Sequence, residues 1–251
     1  MLPGPVYLLA DAHIGVAPIE TERSLVAFLR ALPGDAGSVV INGDLFDFWF
    51  EWKHALPRVG LRVLGELARL ADAGLPVLWI AGNHDCWGGE ALRRDVGLTY
   101  HVGPWRGSLG GWDTLIEHGD GLREKEDAPY RRLRTVLRHP WSVRAYRWLH
   151  PDWATALALR SSHTSRNMRP RDGGEGLRTV AHERLRAEGA PELLVFGHSH
   201  VATLERPSRG VFANPGAWLD VPRYLRITPQ RVALCRWSDG HGIEEQALHK
   251  L

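Results

Sequence analysis

Apolar runs of strand length alternate with segments of helical periodicity through the first hundred residues. The runs VYLLA (6–10), SVVI (38–41) and PVLWIA (76–81) are continuously apolar, which is typical of strands buried on both faces. Each is followed by a segment whose apolar positions have helical spacing, and these segments are 20–31, 61–74 and 89–96. The order β-α-β-α-β-α predicts parallel strands covered by helices.

The pattern changes after Gly97. A shorter strand candidate, DTLIEH (113–118), precedes a segment of helical spacing at about 123–170 that Pro140 and Pro151 interrupt. A linker, RDGGEG (171–176), is followed by one more helix candidate and by strand candidates at ELLVF, GVFAN, RYLRIT and RVALCRW. We therefore expect a single α/β domain spanning 1–251, with a helical insertion at about 123–170.

The composition is that of a folded globular chain. Hydrophobic residues make up 44% of the 251 residues and charged residues 24%. No apolar stretch approaches the ~20 residues that cross a bilayer, and the N-terminal residues lack the basic leader of an export signal. Cys86 and Cys235 are too few for a disulfide framework and fit a reducing compartment. These features predict a cytoplasmic protein.

Positive charge is concentrated between Arg123 and Arg171. This segment holds eleven arginines and one lysine against four acidic residues, a net charge of +8, whereas the whole chain carries only +2. We call residues 123–170 the basic arm. Its charge indicates an anionic partner, which could be a phosphate-bearing ligand, a membrane surface or nucleic acid, although a solvated helical surface would have the same composition.

Every clear strand candidate in the alternating pattern ends in residues that can bind metal ions. The clusters are Asp11-Ala12-His13, Asn42-Gly43-Asp44 with Asp47, Gly82-Asn83-His84-Asp85, His118-Gly119-Asp120 and Gly197-His198-Ser199-His200. The carboxyl ends of strands in an open α/β sheet line one crevice, so we expect the clusters to converge. Imidazole, carboxylate and amide ligands together favour Mn²⁺, Fe²⁺, Zn²⁺ or Co²⁺ over Ca²⁺. His198 and His200 point the same way in an extended segment and could serve one ion or two.

This ordered set of motifs resembles the calcineurin-like metallophosphoesterases. The resemblance covers residues 11–200 and implies a four-layer αββα sandwich that carries the basic arm as an insertion. It also implies two divalent ions bridged by one aspartate, and manganese is the expected metal. By position, the first ion would be held by Asp11, His13, Asp44 and His200, and the second by Asp44, Asn83, His118 and His198.

Two further residues of the third motif are candidates for catalysis. By the same resemblance His84 is not a metal ligand, and it would stabilise charge on the phosphate or protonate the leaving oxygen. Asp85 would orient His84, while Asp47 and Asp120 would hold metal ligands through hydrogen bonds.

The segments between the motifs narrow the expected substrate. The segments HGDGLREKEDAPYRRLRTVLRHPWSVRAYRWLHP, RSSHTSR and GAW (216–218) resemble lipid A pathway enzymes that hydrolyse UDP-2,3-diacylglucosamine to UMP and 2,3-diacylglucosamine 1-phosphate. The substrate-binding positions that this resemblance implies are Asn83, His84, Asp127, Tyr130, Ser162, Arg166 and His198. One departure is His84, because better-known members of that group have arginine there.

The basic arm interleaves its arginines with large apolar residues. These are Leu133, Val136, Leu137, Trp141, Trp148, Leu149, Trp153 and Leu157. They would suit acyl chains and the cytoplasmic face of an inner membrane, or they would simply pack the arm helices onto the sandwich.

Three functions follow from these patterns. The leading one is metal-dependent cleavage of the pyrophosphate of an acylated, nucleotide-linked sugar. A phosphoesterase for soluble nucleotides, phosphoproteins or nucleic acid is the alternative, since a basic patch also binds nucleic acid phosphates. A non-catalytic binding scaffold is disfavoured because every matched ligand position is filled.

Overall fold

The computed structural model describes the backbone of residues 1–167 and 172–251 and the side chains of residues 1–160 and 172–251. Its larger sheet has seven strands. In chain order they are β1 (Val6–Leu9), β2 (Ser38–Asn42), β3 (Val77–Ile80), β4 (Thr99–His101), β10 (Arg223–Ile227), β11 (Arg231–Ser238) and β12 (His241–His249). Across the sheet their order is β12-β11-β10-β1-β2-β3-β4, with β1 to β4 parallel, as the alternating pattern predicts for β1 to β3.

The second sheet has five strands. In chain order they are β5 (Trp105–Leu109), β6 (Trp112–Ile116), β7 (Leu193–Val195), β8 (Thr203–Glu205) and β9 (Val211–Asn214). Their order across the sheet is β5-β6-β7-β9-β8, and β6, β7 and β9 are parallel. The carboxyl ends of β6 and β7 can therefore supply side chains to the same rim as β1, β2 and β3.

Helices cover the outer faces of both sheets. The helices are α1 (Ile19–Arg30), α2 (Leu61–Asp72), α3 (Glu90–Arg94), α4 (Ala128–Leu137), α5 (Pro140–Tyr146), α6 (Pro151–Asn167) and α7 (Glu175–Arg186). In β1, Tyr7 and Leu9 pack in the cluster that includes α1 and α2, whereas Val6 and Leu8 pack in the cluster between the sheets. Helix α7 packs on the outer face of the five-stranded sheet. The expected αββα sandwich is confirmed.

The basic arm supplies helices α4, α5 and α6, which lie between β6 and α7 in the chain. An aromatic cluster fastens α5 and α6 to the β2–α2 loop, where Phe48, Phe50 and Trp52 are buried with Ala154. The ring of Phe50 lies 4.8 Å from that of Trp52 and 4.9 Å from that of Tyr146 in α5. Over the described residues, none of the helices has both the length and the apolar character that a membrane span requires.

Candidate metal centre

The strand-end clusters converge, and three groups of potential ligands have all their ligand atoms within 4.8 Å of one another. These groups are Asp11, His13 and His200; Asp44, His118 and His198; and His13, Asp44 and His84. All the ligands in the first two groups are those expected from the sequence. The third group brings His84 within reach of the metal ligands, although the resemblance assigns it a non-ligand role.

Asp44 lies between two sets of imidazoles. Its Oδ2 is 3.9 Å from Nε2 of His13 on one side and 3.1 Å from Nε2 of His118 on the other. On the first side, His200 Nε2 lies 3.3 Å from Asp11 Oδ1 and 3.2 Å from His13 Nε2. A carboxylate in this position can contribute to both groups.

The two histidines of the GHSH motif face different partners. His198 lies with Asp44 and His118, and its ring centroid is 5.2 Å from that of His118. His200 lies with Asp11 and His13. The geometry therefore favours two separate ligand groups over chelation of a single ion by the pair.

Several ligand atoms are buried without hydrogen bonds to any described residue. These atoms are Asp11 Oδ1, Asp44 Oδ2, Asn83 Oδ1, His118 Nε2 and His198 Nδ1, of which Asp44 Oδ2 and His118 Nε2 face each other at 3.1 Å. Buried polar atoms are normally satisfied, so a cluster of unsatisfied acceptors needs a partner. Carboxylate, amide and imidazole acceptors around one crevice fit divalent transition-metal ions.

Contacts with backbone groups and with a neighbouring carboxylate fix the directions of the side chains that could bind metal. His118 Nδ1 bonds to the carbonyl of Asn42 at 3.0 Å, which directs Nε2 toward Asp44. Asp47 Oδ1 lies 3.3 Å from Nδ1 of His13. Asp11 Oδ2 accepts a 3.0 Å hydrogen bond from the backbone N–H of His198. Such contacts orient metal ligands and set the tautomer of each imidazole.

The ligand loops adopt an unusual backbone conformation. In the described chain, six non-glycine residues have positive φ, and five of them are Asp11, His13, Asp44, His198 and His200, at φ 53°, 45°, 50°, 61° and 63°. The left-handed region is costly for residues with a Cβ and is concentrated at functional sites. This feature turns the chain sharply at the strand ends, and no pattern of residue types revealed it in advance.

Two glycines permit the close approach of the ligands. A Cβ on Gly43 would lie 2.2 Å from Nδ1 of His118, and one on Gly82 would lie 2.1 Å from Oδ1 of Asp44. Gly43 also has φ 80°. Both positions require glycine for steric reasons.

Electrostatics favour cation binding at His198 and Asp44, whereas a metal ion would have to displace a proton from His118. Burial, together with the neighbouring His118, lowers the pKa of His198 to about 4, so its imidazole is neutral at pH 7 and can bind metal. Burial disfavours charge on Asp44 and His118, yet their mutual attraction lowers the pKa of Asp44 well below its usual range and raises the pKa of His118 well above its own. The carboxylate at the centre of the site is thus ionised.

The contacts of His84 and Asp85 differ from expectation. Nδ1 of His84 bonds to the carbonyl oxygen of Asp47 at 2.9 Å. The carboxylate of Asp85 instead accepts 2.8 Å hydrogen bonds from the backbone N–H groups of Leu45 and Gly82. Burial and the nearby Asp44 raise the pKa of Asp85 to about 7. Asp85 therefore ties two ligand loops together, and the observed orienting contact on His84 comes from Asp47.

Asp120 connects the metal loops to the basic arm. Its Oδ2 accepts a 2.8 Å hydrogen bond from the hydroxyl of Tyr130 and lies 3.1 Å from Arg134 and 3.3 Å from Arg138. Arg138 also donates to the carbonyl of Gly82 at 3.4 Å. Helix α4 is thus docked beside Asn83 and His118.

The other expected substrate contacts have different outcomes. The buried carboxylate of Asp127 pairs with the guanidinium group of Arg123 and accepts that residue's backbone N–H, so it is engaged within the protein. The side chains of Ser162 and Arg166 lie outside the described residues. Asp220, which the sequence did not single out, lies 3.3 Å from Nδ1 of His200. A lone aspartate in a loop has no pattern that would reveal this contact.

Residues 4–202 match the family of calcineurin-like phosphoesterases. Three similar curated proteins are each named UDP-2,3-diacylglucosamine hydrolase. The Porphyromonas gingivalis protein is 33% identical over 165 residues, which are 64% of this chain and 63% of that protein. A Neisseria meningitidis protein is 32% identical over 200 residues, 78% of this chain and 82% of that protein. The Nitrosococcus oceani protein is 30% identical over 237 residues, 93% of this chain and 88% of that protein.

The family match, its coverage of the ligand loops and the cluster of imidazoles and carboxylates agree with one another. The chain belongs to the calcineurin-like phosphoesterase family and is a metal-dependent hydrolase.

Proposed function

We propose that this protein hydrolyses the pyrophosphate of UDP-2,3-diacylglucosamine and releases UMP and 2,3-diacylglucosamine 1-phosphate. The shared name of the curated relatives supports this substrate. The observation that carries the proposal is the apolar surface of the basic arm beside the metal loops. A soluble nucleotide has no acyl chains that could contact such a surface, whereas an acylated sugar has them.

Eight large apolar side chains of the basic arm face solvent rather than the sandwich. Their exposed fractions run from 43% to 86%, and the residues are Leu133, Val136, Leu137, Trp141, Trp148, Leu149, Trp153 and Leu157. Isolated exposed apolar residues are common, but eight within one helical segment indicate an interaction surface. Exposed arginines, including Arg132 and Arg144, accompany them. This mixture favours an anionic amphiphile over nucleic acid.

The same surface suits the face of an anionic membrane. Tryptophan prefers the boundary between lipid headgroups and acyl chains, and arginine pairs with lipid phosphates. Trp148 and Trp153 are 86% and 79% exposed, and the guanidinium group of Arg144 lies 5.7 Å from the ring of Trp141. We infer that the basic arm contacts the membrane from which the substrate is drawn, on its cytoplasmic side.

The ligand geometry supports two ions, with manganese as the proposed metal. We assign Asp11, His13, Asp44 and His200 to the first ion, and Asp44, Asn83, His118 and His198 to the second. When bound, the ions supply positive charge against the phosphoryl oxygens and make water a stronger nucleophile at neutral pH.

Protein groups complete the reaction. We assign His84 to the charge on the phosphate or to the proton of the leaving oxygen, with the carbonyl of Asp47 fixing its ring. Asp85 holds the loops of Leu45 and Gly82 at a fixed distance, so it is a positioning residue. Tyr130 and Asp120 align helix α4 with the site.

The direct test is incubation of the purified protein and Mn²⁺ with UDP-2,3-diacylglucosamine and with UDP-glucosamine, followed by chromatography of UMP. We expect UMP from the acylated substrate at a much higher kcat/KM than from the soluble one. Absence of UMP from the acylated substrate, in a protein that still cleaves an aryl phosphodiester, contradicts the proposal. Equal cleavage of both UDP sugars would favour a soluble nucleotide substrate.

A further inference from the structure

A cavity of about 460 Å³ lies between the β1–α1 loop and the start of α2. Its wall includes Ile14 and Gly15, which directly follow the ligand His13, and three arginines, Arg23, Arg58 and Arg62. Its volume lies within the range of about 300–1,000 Å³ that small-ligand sites occupy. None of the candidate metal ligands lines this space, so the metal site does not account for it.

Two of the lining arginines are not neutralised. Arg58 and Arg62 form no ion pair or side-chain hydrogen bond with the described residues, whereas Arg69 and Arg178 bind Glu66 and Glu205 at 2.8 Å and 2.7 Å. The contact between Arg23 and Glu20 is weak, because the two side chains are 4.0 Å apart and both are largely exposed. Three arginines against the single carboxylate of Glu22 give the cavity an excess of positive charge, although the chain outside the basic arm is acidic on balance.

The start of α2 adds to this charge. The helix follows Gly60, has no side-chain cap and has no acidic residue in its first turn. A helix N-terminus is electropositive, and arginine there is unfavourable for the helix itself. Arg62 nevertheless occupies this first turn, which is understandable if an anionic or carbonyl-rich ligand lies in the cavity.

Backbone contacts join the cavity wall to the metal loops. The N–H of Ile14 donates to the carbonyl of Leu45 at 2.9 Å, and the N–H of Asp47 donates to the carbonyl of Ile14 at 3.1 Å. Gly60 packs so tightly that a Cβ would lie 2.1 Å from the ring of Phe46. A ligand held in the cavity is therefore positioned rigidly relative to Asp11, His13 and Asp44.

The cavity and the basic arm adjoin different ligand groups. The arm reaches the loops of Asn83 and His118 through Arg138 and Asp120, whereas the cavity adjoins the loop of His13. A pyrophosphate that links an acylated sugar to a nucleoside has two ends, and the arm suits the acylated end. The other end then needs a site near the His13 loop.

We propose that this cavity binds the nucleotide half of the substrate, a pyrimidine nucleoside monophosphate. This inference rests on the proposed function and extends it to a second subsite. Arg58 and Arg62 would donate to the uracil carbonyl and ribose oxygens, while Ile14 and Val59 supply an apolar wall for the base. Arginine is suited to both tasks because it donates in a fixed plane and stacks on rings.

The test is product inhibition by UMP in the Mn²⁺-loaded protein, measured with an aryl phosphodiester as the reporter substrate. The double variant Arg58→Ala/Arg62→Ala is compared with Arg94→Ala, an exposed arginine on α3 whose charge is removed without touching the cavity. We expect the double variant to raise the inhibition constant of UMP by about tenfold or more, since each lost charge-assisted hydrogen bond weakens binding severalfold. The inhibition constant of inorganic phosphate and the kcat for the aryl diester should change less than twofold.

Three results would overturn the inference. One is an unchanged inhibition constant of UMP in the double variant, and another is an equal shift in Arg94→Ala. The third is a parallel rise for inorganic phosphate and UMP, which would indicate a general anion effect. A wild-type protein that releases no UMP from the acylated substrate would refute the proposed function instead, and the inhibition measurement would still decide whether the cavity binds UMP.

Discussion

Replacement of Phe50 by alanine should loosen the basic arm without dismantling the metal centre. Phe50 is 2% exposed and contacts the arm through the ring of Tyr146 at 4.9 Å and the guanidinium group of Arg147 at 6.0 Å. An aromatic pair contributes about 0.5–1.5 kcal/mol beyond burial, and an exposed cation–π contact about 0.5–1 kcal/mol. Loss of both therefore weakens arm docking by about 1–2.5 kcal/mol.

This loss corresponds to a rise of roughly 5- to 70-fold in the population with an undocked arm. A buried Phe→Ala substitution typically destabilises a protein by ~3–5 kcal/mol in total. The rest of this free energy is lost from contacts of Phe50 with Phe48 and Trp52 within the β2–α2 loop. Hydrogen exchange read by mass spectrometry should show lost protection in peptides from α5 and the start of α6, with β1 peptides much less affected. Metal content measured by plasma mass spectrometry should stay at the wild-type value.

A matched control is Phe212→Ala, which removes an equally buried ring beneath α7, in a cluster separate from that of Phe50. It should lower the melting temperature while leaving the exchange of α5 peptides close to that of wild type. Equal loss of protection in arm and sandwich peptides of Phe50→Ala would refute the reasoning. So would loss of bound metal from that variant, because it would show that the aromatic cluster supports the metal loops directly.

Three other substitutions and one treatment test the site. His200→Ala should deplete mainly the first ion and His198→Ala the second, each leaving close to one ion per chain by plasma mass spectrometry; loss of both ions from either variant would indicate one shared site. Gly82→Ala should abolish activity and weaken Mn²⁺ binding in titration calorimetry, since its Cβ would lie 2.1 Å from Asp44 Oδ1, and wild-type affinity would contradict this steric argument. Removal of metal with EDTA should abolish aryl diester cleavage and Mn²⁺ should restore it, whereas full activity after verified metal removal would contradict the metal dependence.

The convergence of the proposed ligands was predictable because the sequence combines two independent patterns. A continuous apolar run identifies a buried parallel strand, and the polar residue after it must lie at the carboxyl edge of the sheet. Asp11, Asp44 and Asn83 all follow this rule. Several short strands, including β4, β5 and β8, were not predicted, since three to five residues of mixed polarity carry little periodic signal.

Helical periodicity does not tell which way the apolar side chains of the basic arm face. Helical spacing of Leu133, Val136 and Leu137 is the same whether the side chains face a core or a ligand, so only the structure shows that they are exposed. Asp127 illustrates the reverse case. Its spacing from Arg123 allows an intramolecular ion pair, and this pair forms, whereas the sequence resemblance suggested a substrate contact.

The left-handed backbone at the proposed metal ligands affects which mutations can abolish activity without unfolding the protein. Glycine adopts positive φ without a steric penalty, whereas a residue with a Cβ carries about 1–2 kcal/mol in that region. Changing Asp44 at φ 50° or His200 at φ 63° to glycine would remove a ligand and relieve the backbone at once. At Asp44 the change would also remove a carboxylate that His118 attracts, which offsets the gain. A mutation such as His200→Gly can therefore inactivate this hydrolase with little loss of folding stability, so selection for stability alone would not preserve its proposed ligands.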